Sequence, residues 1–364
     1  MATLTGNTIA STYALLLKID STGIAGDGTL RKVEDGDATD SALSLSDVSI
    51  AVDATDKIFL DGGTHSYIHE SASDVVQIVA GGTVVFEGDT NSRISLSNND
   101  SGTSNTIFGK SAGASLDAGS NYNVFIGEAV SDATMNDATN NVGVGYQSLS
   151  ALTTGDKNIA IGKDALLSCD AGSENTVIGN IAGDALVGGE GNVIVGNSAF
   201  GNSTSGISNV CIGTDAGGGA GDVDNTVIIG KSAAAGALTD AADGTVAIGK
   251  SALNDLTSGI GNVAVGYQSM DANQTSDYNT SVGYLSLTSL NANGTQACTG
   301  IGYGAGHDLT SGGSNTYLGY QSGYFNSTGV SNTYIGRDAG KGASGQSNSN
   351  NTGVGKNALF SITT

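Results

Sequence analysis

Five tyrosines, Tyr146, Tyr267, Tyr284, Tyr303 and Tyr320, each stand directly after a glycine at the same point of a recurring phrase. A row of outward phenols can stack on sugars or pack across a chain interface. His65 and His69 form the one closely spaced histidine pair. Their run reads as strand, so the two would share a face yet stand ~13 Å apart, too far to hold one ion. In a parallel trimer, three copies of either histidine converging on the axis are the weak metal candidate. Carboxylates are plentiful: Asp132, Asp137, Asp164, Asp170, Asp184, Asp215, Asp222, Asp224, Asp255 and Asp277. Glycoside hydrolysis needs two of them across one bond, and calcium needs several oxygens around one point. These aspartates fall mostly in Gly/Ser/Thr-rich turns, with no D-x-D-x-D-G loop and no GGxGxD run. Cys169, Cys211 and Cys298 are far apart with no CxxC, and Cys211 occupies an apolar slot, so it reads as a small core residue. The expectation is a protein without catalytic residues or cofactor.

The element that positions the tyrosines is a repeat. Aligned on the glycine of N-x-x-Φ-G, the chain has fifteen units, with glycines at Gly109, Gly127, Gly145, Gly162, Gly179, Gly196, Gly213, Gly230, Gly249, Gly266, Gly283, Gly302, Gly319, Gly336 and Gly355. Spacings are 17 to 19 residues. Twelve units keep the asparagine: Asn105, Asn123, Asn141, Asn158, Asn175, Asn192, Asn209, Asn262, Asn279, Asn315, Asn332 and Asn351; Thr226, Thr245 and Cys298 take its place in the others. A short β-branched run such as "NVIVG" reads as one brief strand, the glycine as a corner, and the small residue three further on as interior. One such unit cannot bury its apolar face alone, whereas stacked units can. Fifteen coils at ~4.8 Å make a rod of roughly 70 Å. The asparagines, in phase with the core, are expected to form an amide ladder at a corner, where Asn also tolerates the left-handed conformation.

Composition agrees with a thin, regular core. The chain of 364 residues has 57 glycines, no proline, no tryptophan and 5% aromatic residues. Its formal net charge is −22, from 13 basic and 35 acidic residues. That argues against nucleic acid as partner and against docking on anionic membranes. No run approaches the ~20 apolar residues of a spanning helix, so no membrane insertion is expected. "MATLTGNTIASTYALLLKID" lacks the basic flank and long apolar run of a signal peptide. An open last coil after Gly355 would expose a strand edge, so the sequence is expected to continue or to be covered.

The N-x-x-x-G-x-x-A pattern resembles the head repeats of YadA-type trimeric autotransporter adhesins, which form a trimeric left-handed parallel β-roll. Repeats there are shorter, and the heads follow signal peptides and precede coiled-coil stalks. The longer "NTxIGxxAG" form is more similar to repeats of bacteriophage tail fibres and related virion appendages, and this resemblance covers residues 105–364. Upstream, "LDGGTHSYIHESASDVVQIVAGG" resembles a tail-fibre module that builds small trimeric β-prism segments. "SALSLSDVSIAV" alternates as a strand with an irregularity near Asp47.

The resulting expectation is an all-β chain: a repetitive parallel β-solenoid or β-roll shaft, in an intertwined or side-by-side homotrimer, with a small β-rich N-terminal region. Residues 1–50 would be the attachment region, 51–104 the β-prism-like module and 105–364 the fifteen-unit shaft. The resemblance implies a structural virion protein, a tail fibre or spike shaft, serving host-surface attachment. Its partners would be two further copies of itself, other virion or tail proteins at the N-terminal region, and a host glycan or protein receptor. A bacterial trimeric adhesin head on the cell surface is the rival reading. A glycan depolymerase comes next. An ice-binding solenoid would need paired Thr-x-Thr faces, which the "NT" threonines do not make.

Overall fold

Three residues suffice for the strand of each repeat: two β-branched or apolar residues pointing out and one small or apolar residue between them pointing in. The computed structural model describes residues 104–345 and 347–363 and, upstream, residues 18–19, 31–34, 40–45, 50–52, 57–59, 66–72, 75–88 and 94–95. Its chain divides into two units, Met1–Asn98 and Asn99–Thr364.

The second unit is a parallel β-solenoid. Fifteen strands, from Thr106–Phe108 to Thr352–Val354, form one sheet in which each strand of the repeat pairs with that of the next repeat. Pairing is parallel and in register throughout, as in Ile194↔Cys211 and Cys211↔Ile228. We number the coils 1 to 15 by their motif glycines. Longer repeats carry their extra residues as local additions. A 3₁₀ turn, Asp240–Ala242, enlarges the repeat after Gly230, and the strands Ser276–Asp277 and Gly294–Thr295 pair across two successive coils.

The core is a set of columns running through the coils. Strand centres such as Phe125, Val177, Ile194, Cys211 and Ile228 are fully buried. So are the small residues three after the motif glycine (Ala165, Ala182, Ala199, Ala216) and many of the residues one further on, such as Leu149, Leu166, Phe200 and Leu253. Volumes compensate along the columns. The strand centre is glycine at Gly143 and Gly300; a methyl added there would lie 2.6 Å from Val130 Cγ1 and 2.7 Å from Leu287 Cγ. Larger neighbours have taken that space, as close packing requires.

Each coil closes through backbone that L-residues ordinarily avoid. The motif glycines have φ between 120° and 152°. Left-handed residues also stand just before the asparagine slot (Ser104, Tyr122, Lys157, Glu174) and two after the glycine (Gln147, Asp164, Ser198). The asparagines themselves are not left-handed, contrary to expectation: the corner lies one residue earlier, and the amide is free to bond along the stack.

In the first unit the strands Lys18–Ile19, Arg31–Glu34, Asp40–Leu45 and Ile50–Val52 form one antiparallel sheet. The stretch expected as one irregular strand is therefore two, with Leu45 opposite Ile50. Lys57–Phe59, Tyr67–Ala72, Val75–Ala80, Thr83–Gly88 and Ile94–Ser95 form a second antiparallel sheet. Gly81 and Gly82, at φ 58° and 83°, make the tight turn between Val75–Ala80 and Thr83–Gly88.

A Cβ at Gly196 would lie 2.3 Å from the carbonyl oxygen of Gly213 on the next coil, in a backbone region strained for any other residue. Gly196→Ala should therefore lower stability by about 3 kcal/mol or more, strain and coil separation acting together. Gly188→Ala, where nothing lies within 4 Å, should change it by less than about 1 kcal/mol. Denaturant midpoints of the two variants check this; equal losses would contradict the role given to the motif glycine.

Candidate functional site

Four surfaces of the solenoid collect the residues singled out by the sequence. The first is internal. Asn141, Asn158, Asn175, Asn192 and Asn209 are fully buried and stacked on successive coils. Each side-chain oxygen accepts the backbone N–H of the next asparagine, as in Asn192 to Asn175 at 3.1 Å and Asn209 to Asn192 at 2.9 Å. Each amide nitrogen donates to the preceding asparagine and to a carbonyl across the coil; Asn192 reaches Asn175 Oδ1 at 2.9 Å and the Gly206 carbonyl at 2.7 Å. Asn105 and Asn123 start this run, while Asn262 and Asn279 make a second and Asn315, Asn332 and Asn351 a third. Thr226 ends the first run, its hydroxyl donating to Asn209 at 2.7 Å, and Cys298 ends the second, its N–H donating to Asn279 at 2.9 Å.

The second surface is the column after the motif glycines. It brings Tyr267, Tyr284, Tyr303 and Tyr320 together: ring centroids lie 4.9, 5.5 and 5.1 Å apart and the planes are within 11° of parallel. Lys250 lies over the Tyr267 ring at 5.5 Å and Arg337 over Tyr320 at 5.3 Å, closing the pile at both ends. Ring faces are thus used within the pile, and its edges and hydroxyls face outward. The faces between neighbouring rings are therefore closed to flat stacking of a sugar, one of the two uses open to such a row. Tyr146 stands apart, with Lys163 over its ring at 6.0 Å. A shorter aromatic group, unread in the sequence, lies in the column five residues after the motif glycines: His307 stacks on Tyr324 at 4.6 Å, and Lys341 lies 6.0 Å from Tyr324 and 5.9 Å from Phe360. Its members differ in type from coil to coil, so only the repeat phase could have revealed it.

The third surface is the outer face of the sheet. The residue before the motif glycine is apolar in all fifteen coils, and the residue two earlier is Thr, Val or Ile in all fifteen. Strand alternation turns both columns outward. Ile126, Ile159, Ile161, Ile178, Val193, Ile212, Val282, Ile301 and Leu318 remain 36 to 41% exposed. The result is an unbroken apolar band along the whole sheet, ~67 Å from fourteen coil steps. Patches of that size on an isolated chain mark an interaction surface.

Comparison with protein-family models, curated proteins and solved structures found no match.

The fourth surface holds the turns, where the aspartates bond to the backbone of neighbouring coils. Asp156 accepts from the N–H of Thr139 at 2.6 Å, Asp224 from Ile207 at 2.7 Å and Asp277 from Ile260 at 2.8 Å. Asp222 accepts from the N–H groups of Thr204 and Ser205, both at 2.8 Å. Burial pushes its carboxyl up, but these donors outweigh it and hold it below the usual range. Asp184 and Asp215 line one shallow groove of about 400 Å³ with Ser198 and Asn202, left open because Gly201 and Gly218 have no side chains. Burial, with the Asp164 charge adding to it, raises the Asp184 carboxyl.

Cys169, Cys211 and Cys298 are buried; burial pushes the first two thiols up to about 12, which keeps them unreactive near neutral pH. Among the described residues no group of three or more His, Cys, Asp or Glu is placed to hold a metal. His65 lies outside the described residues. His69 sits in the strand Tyr67–Ala72, in register with Lys57 and Gln77.

Asn192→Ala would strip the buried Asn209 N–H and the Gly206 carbonyl of their partners at once. A loss of about 2–4 kcal/mol is expected, since an orphaned buried group costs ~1–3 kcal/mol. Asn192→Thr should lose less, because Thr226 shows that a hydroxyl can hold this slot. Chemical denaturation of both variants gives the comparison; an Ala variant as stable as wild type would refute the ladder's role.

Proposed function

We propose that the chain is a structural shaft of a fibrous virion appendage, a phage tail fibre or spike, that assembles as a homotrimer and serves attachment to a host surface. The observation that supports this reading best is the apolar outer face of the sheet. A chain carrying Val, Ile and Leu along one side of fifteen coils gains by burying them against copies of itself. Apart from Phe108 and Val354 on the end coils, at 66 and 67% exposure, the apolar side chains of the band are already more than half covered, so full burial adds about 1 kcal/mol or less apiece. Summed over two columns, that is on the order of 10 kcal/mol per chain, of the same order as typical association costs. Threefold assembly follows the resemblance of the repeats to trimeric fibres, and closed symmetry keeps the bands from propagating into aggregates.

On this reading residues 1–50 dock on other virion or tail proteins and residues 51–104 add a prism-like module. The shaft carries the contact with a host glycan or protein receptor, and the protein resides on the virion. The same apolar face suits the trimeric head of a bacterial surface adhesin. Locating the chain by mass spectrometry in purified virions or in a bacterial envelope fraction decides between them.

Native mass of the folded chain tests the assembly. Three times 35.9 kDa is expected. The variant Ile161→Lys, Ile178→Lys, Val195→Lys changes only outward positions, so it should keep its β-sheet signal and run as a monomer. A wild-type chain that is monomeric at micromolar concentration would overturn the proposal.

A further inference from the structure

We propose that the column following the motif glycines on coils 8 to 15 is a binding site for an extended anionic glycan; this deepens, and rests on, the reading of the solenoid as a surface-attachment shaft. Charge points there first. Residues 99–364 contain eight Lys and Arg, and six of them (Lys110, Lys163, Lys231, Lys250, Arg337 and Lys356) occupy this single column. On a chain of net charge −22, chance would scatter them among the turns. Four of the six frame the tyrosine pile, Lys231 and Lys250 on one side, Arg337 and Lys356 on the other. Lys231, Lys250 and Lys356 are exposed and have no ion pair among the described residues, and Arg337 is 63% exposed beside its partner Asp338.

The tyrosines define what kind of anion fits. Their faces are spent on one another, at centroid spacings of 4.9 to 5.5 Å, and on the cations that close the pile. Tyr284, Tyr303 and Tyr320 are nonetheless 44 to 47% exposed. None of the four hydroxyls has a hydrogen-bond partner among the described residues. The outward product is a straight comb of phenol hydroxyls, one per coil, flanked by cations over ~34 Å in seven coil steps. Nucleobases bind single-strand platforms through free ring faces, which this pile lacks. An extended β-linked sugar chain is different: it advances by about one coil's rise per hexose, so successive sugars meet successive hydroxyls. Its carboxylates or sulfates then meet the flanking Lys and Arg in charge-assisted hydrogen bonds.

The test uses the full chain on three immobilised probes: a linear polyuronate, a neutral β-linked glucan of matched length, and double-stranded DNA. Retention on the polyuronate, little on the glucan or DNA, and weakening with added salt are expected. The variant K231A/K250A/R337A/K356A should lose about tenfold or more in affinity, in line with the strength of charged hydrogen bonds. The variant Y267F/Y284F/Y303F/Y320F keeps the pile and removes only the hydroxyls, and should lose about threefold or more. No retention of wild type on the polyuronate, equal or stronger retention on glucan or DNA, or unchanged affinity in both variants would each overturn the site. So would a change of native mass in the Tyr→Phe variant, which would place the comb in a subunit interface. If wild type proves monomeric yet holds the polyuronate through these residues, the shaft reading fails and the site stands.

Discussion

The structure depends on one buried hydrogen-bonding group, the asparagine side chain that joins coil to coil in three runs along the stack. A parallel solenoid with three-residue strands has little ladder bonding per coil and no large core. Its turns must also close in strained backbone: left-handed L-residues such as Tyr122, Lys157 and Leu166 recur in every coil, at roughly 1–2 kcal/mol each. What offsets this is repetition. Each asparagine satisfies a buried N–H above and a buried carbonyl across the coil, and its own amide is satisfied in turn, so no member can be removed without orphaning several others. The motif glycine acts with it, letting neighbouring coils approach to where a methyl would strike a carbonyl.

Much of this was legible in the sequence because solenoid chemistry is periodic. Asn and Gly recur in phase, and the phase alone gave the coil, the parallel sheet and the inward alanines. Other features were not legible, for physical reasons. The left-handed positions before the asparagines carry Ser, Tyr, Lys, Glu or Asn as well as Gly (Gly191, Gly261), because closure of the coil more than residue preference sets their φ. Asparagine's propensity favours the corner position itself, but tertiary context places the left-handed residue one earlier. The strand "NVIVG" looks uniformly apolar, so nothing in its letters says that Ile194 is core while Val193 and Val195 face outward. The direction of the tyrosine rings was hidden for a similar reason: a row of phenols reads as a set of open platforms until the coil rise turns each face against its neighbour.

The outer surface divides its labour once the coil is fixed. The sheet face is apolar in every coil and offers itself to large-area burial. The adjoining corner column concentrates cations and phenols on an otherwise acidic chain, while the turns use aspartate to tie backbone to backbone. Sequence variation tracks this division: the sheet columns vary only among apolar and β-branched residues, and the corner column varies in type and charge. In a fibre, the first would set assembly and the second would set what the surface meets.

The central claim is that fifteen coils form one continuous parallel stack, joined within three runs of coils through asparagine amides. Hydrogen exchange of the folded chain, resolved to single residues, tests it most directly. The backbone amides of Asn158, Asn175, Asn192 and Asn209, each bonded to the asparagine of the preceding coil, should be protected together and open only with global unfolding. Exchange of these amides as fast as that of unbonded turn amides would contradict the ladder, and with it the stack that every outer surface depends on.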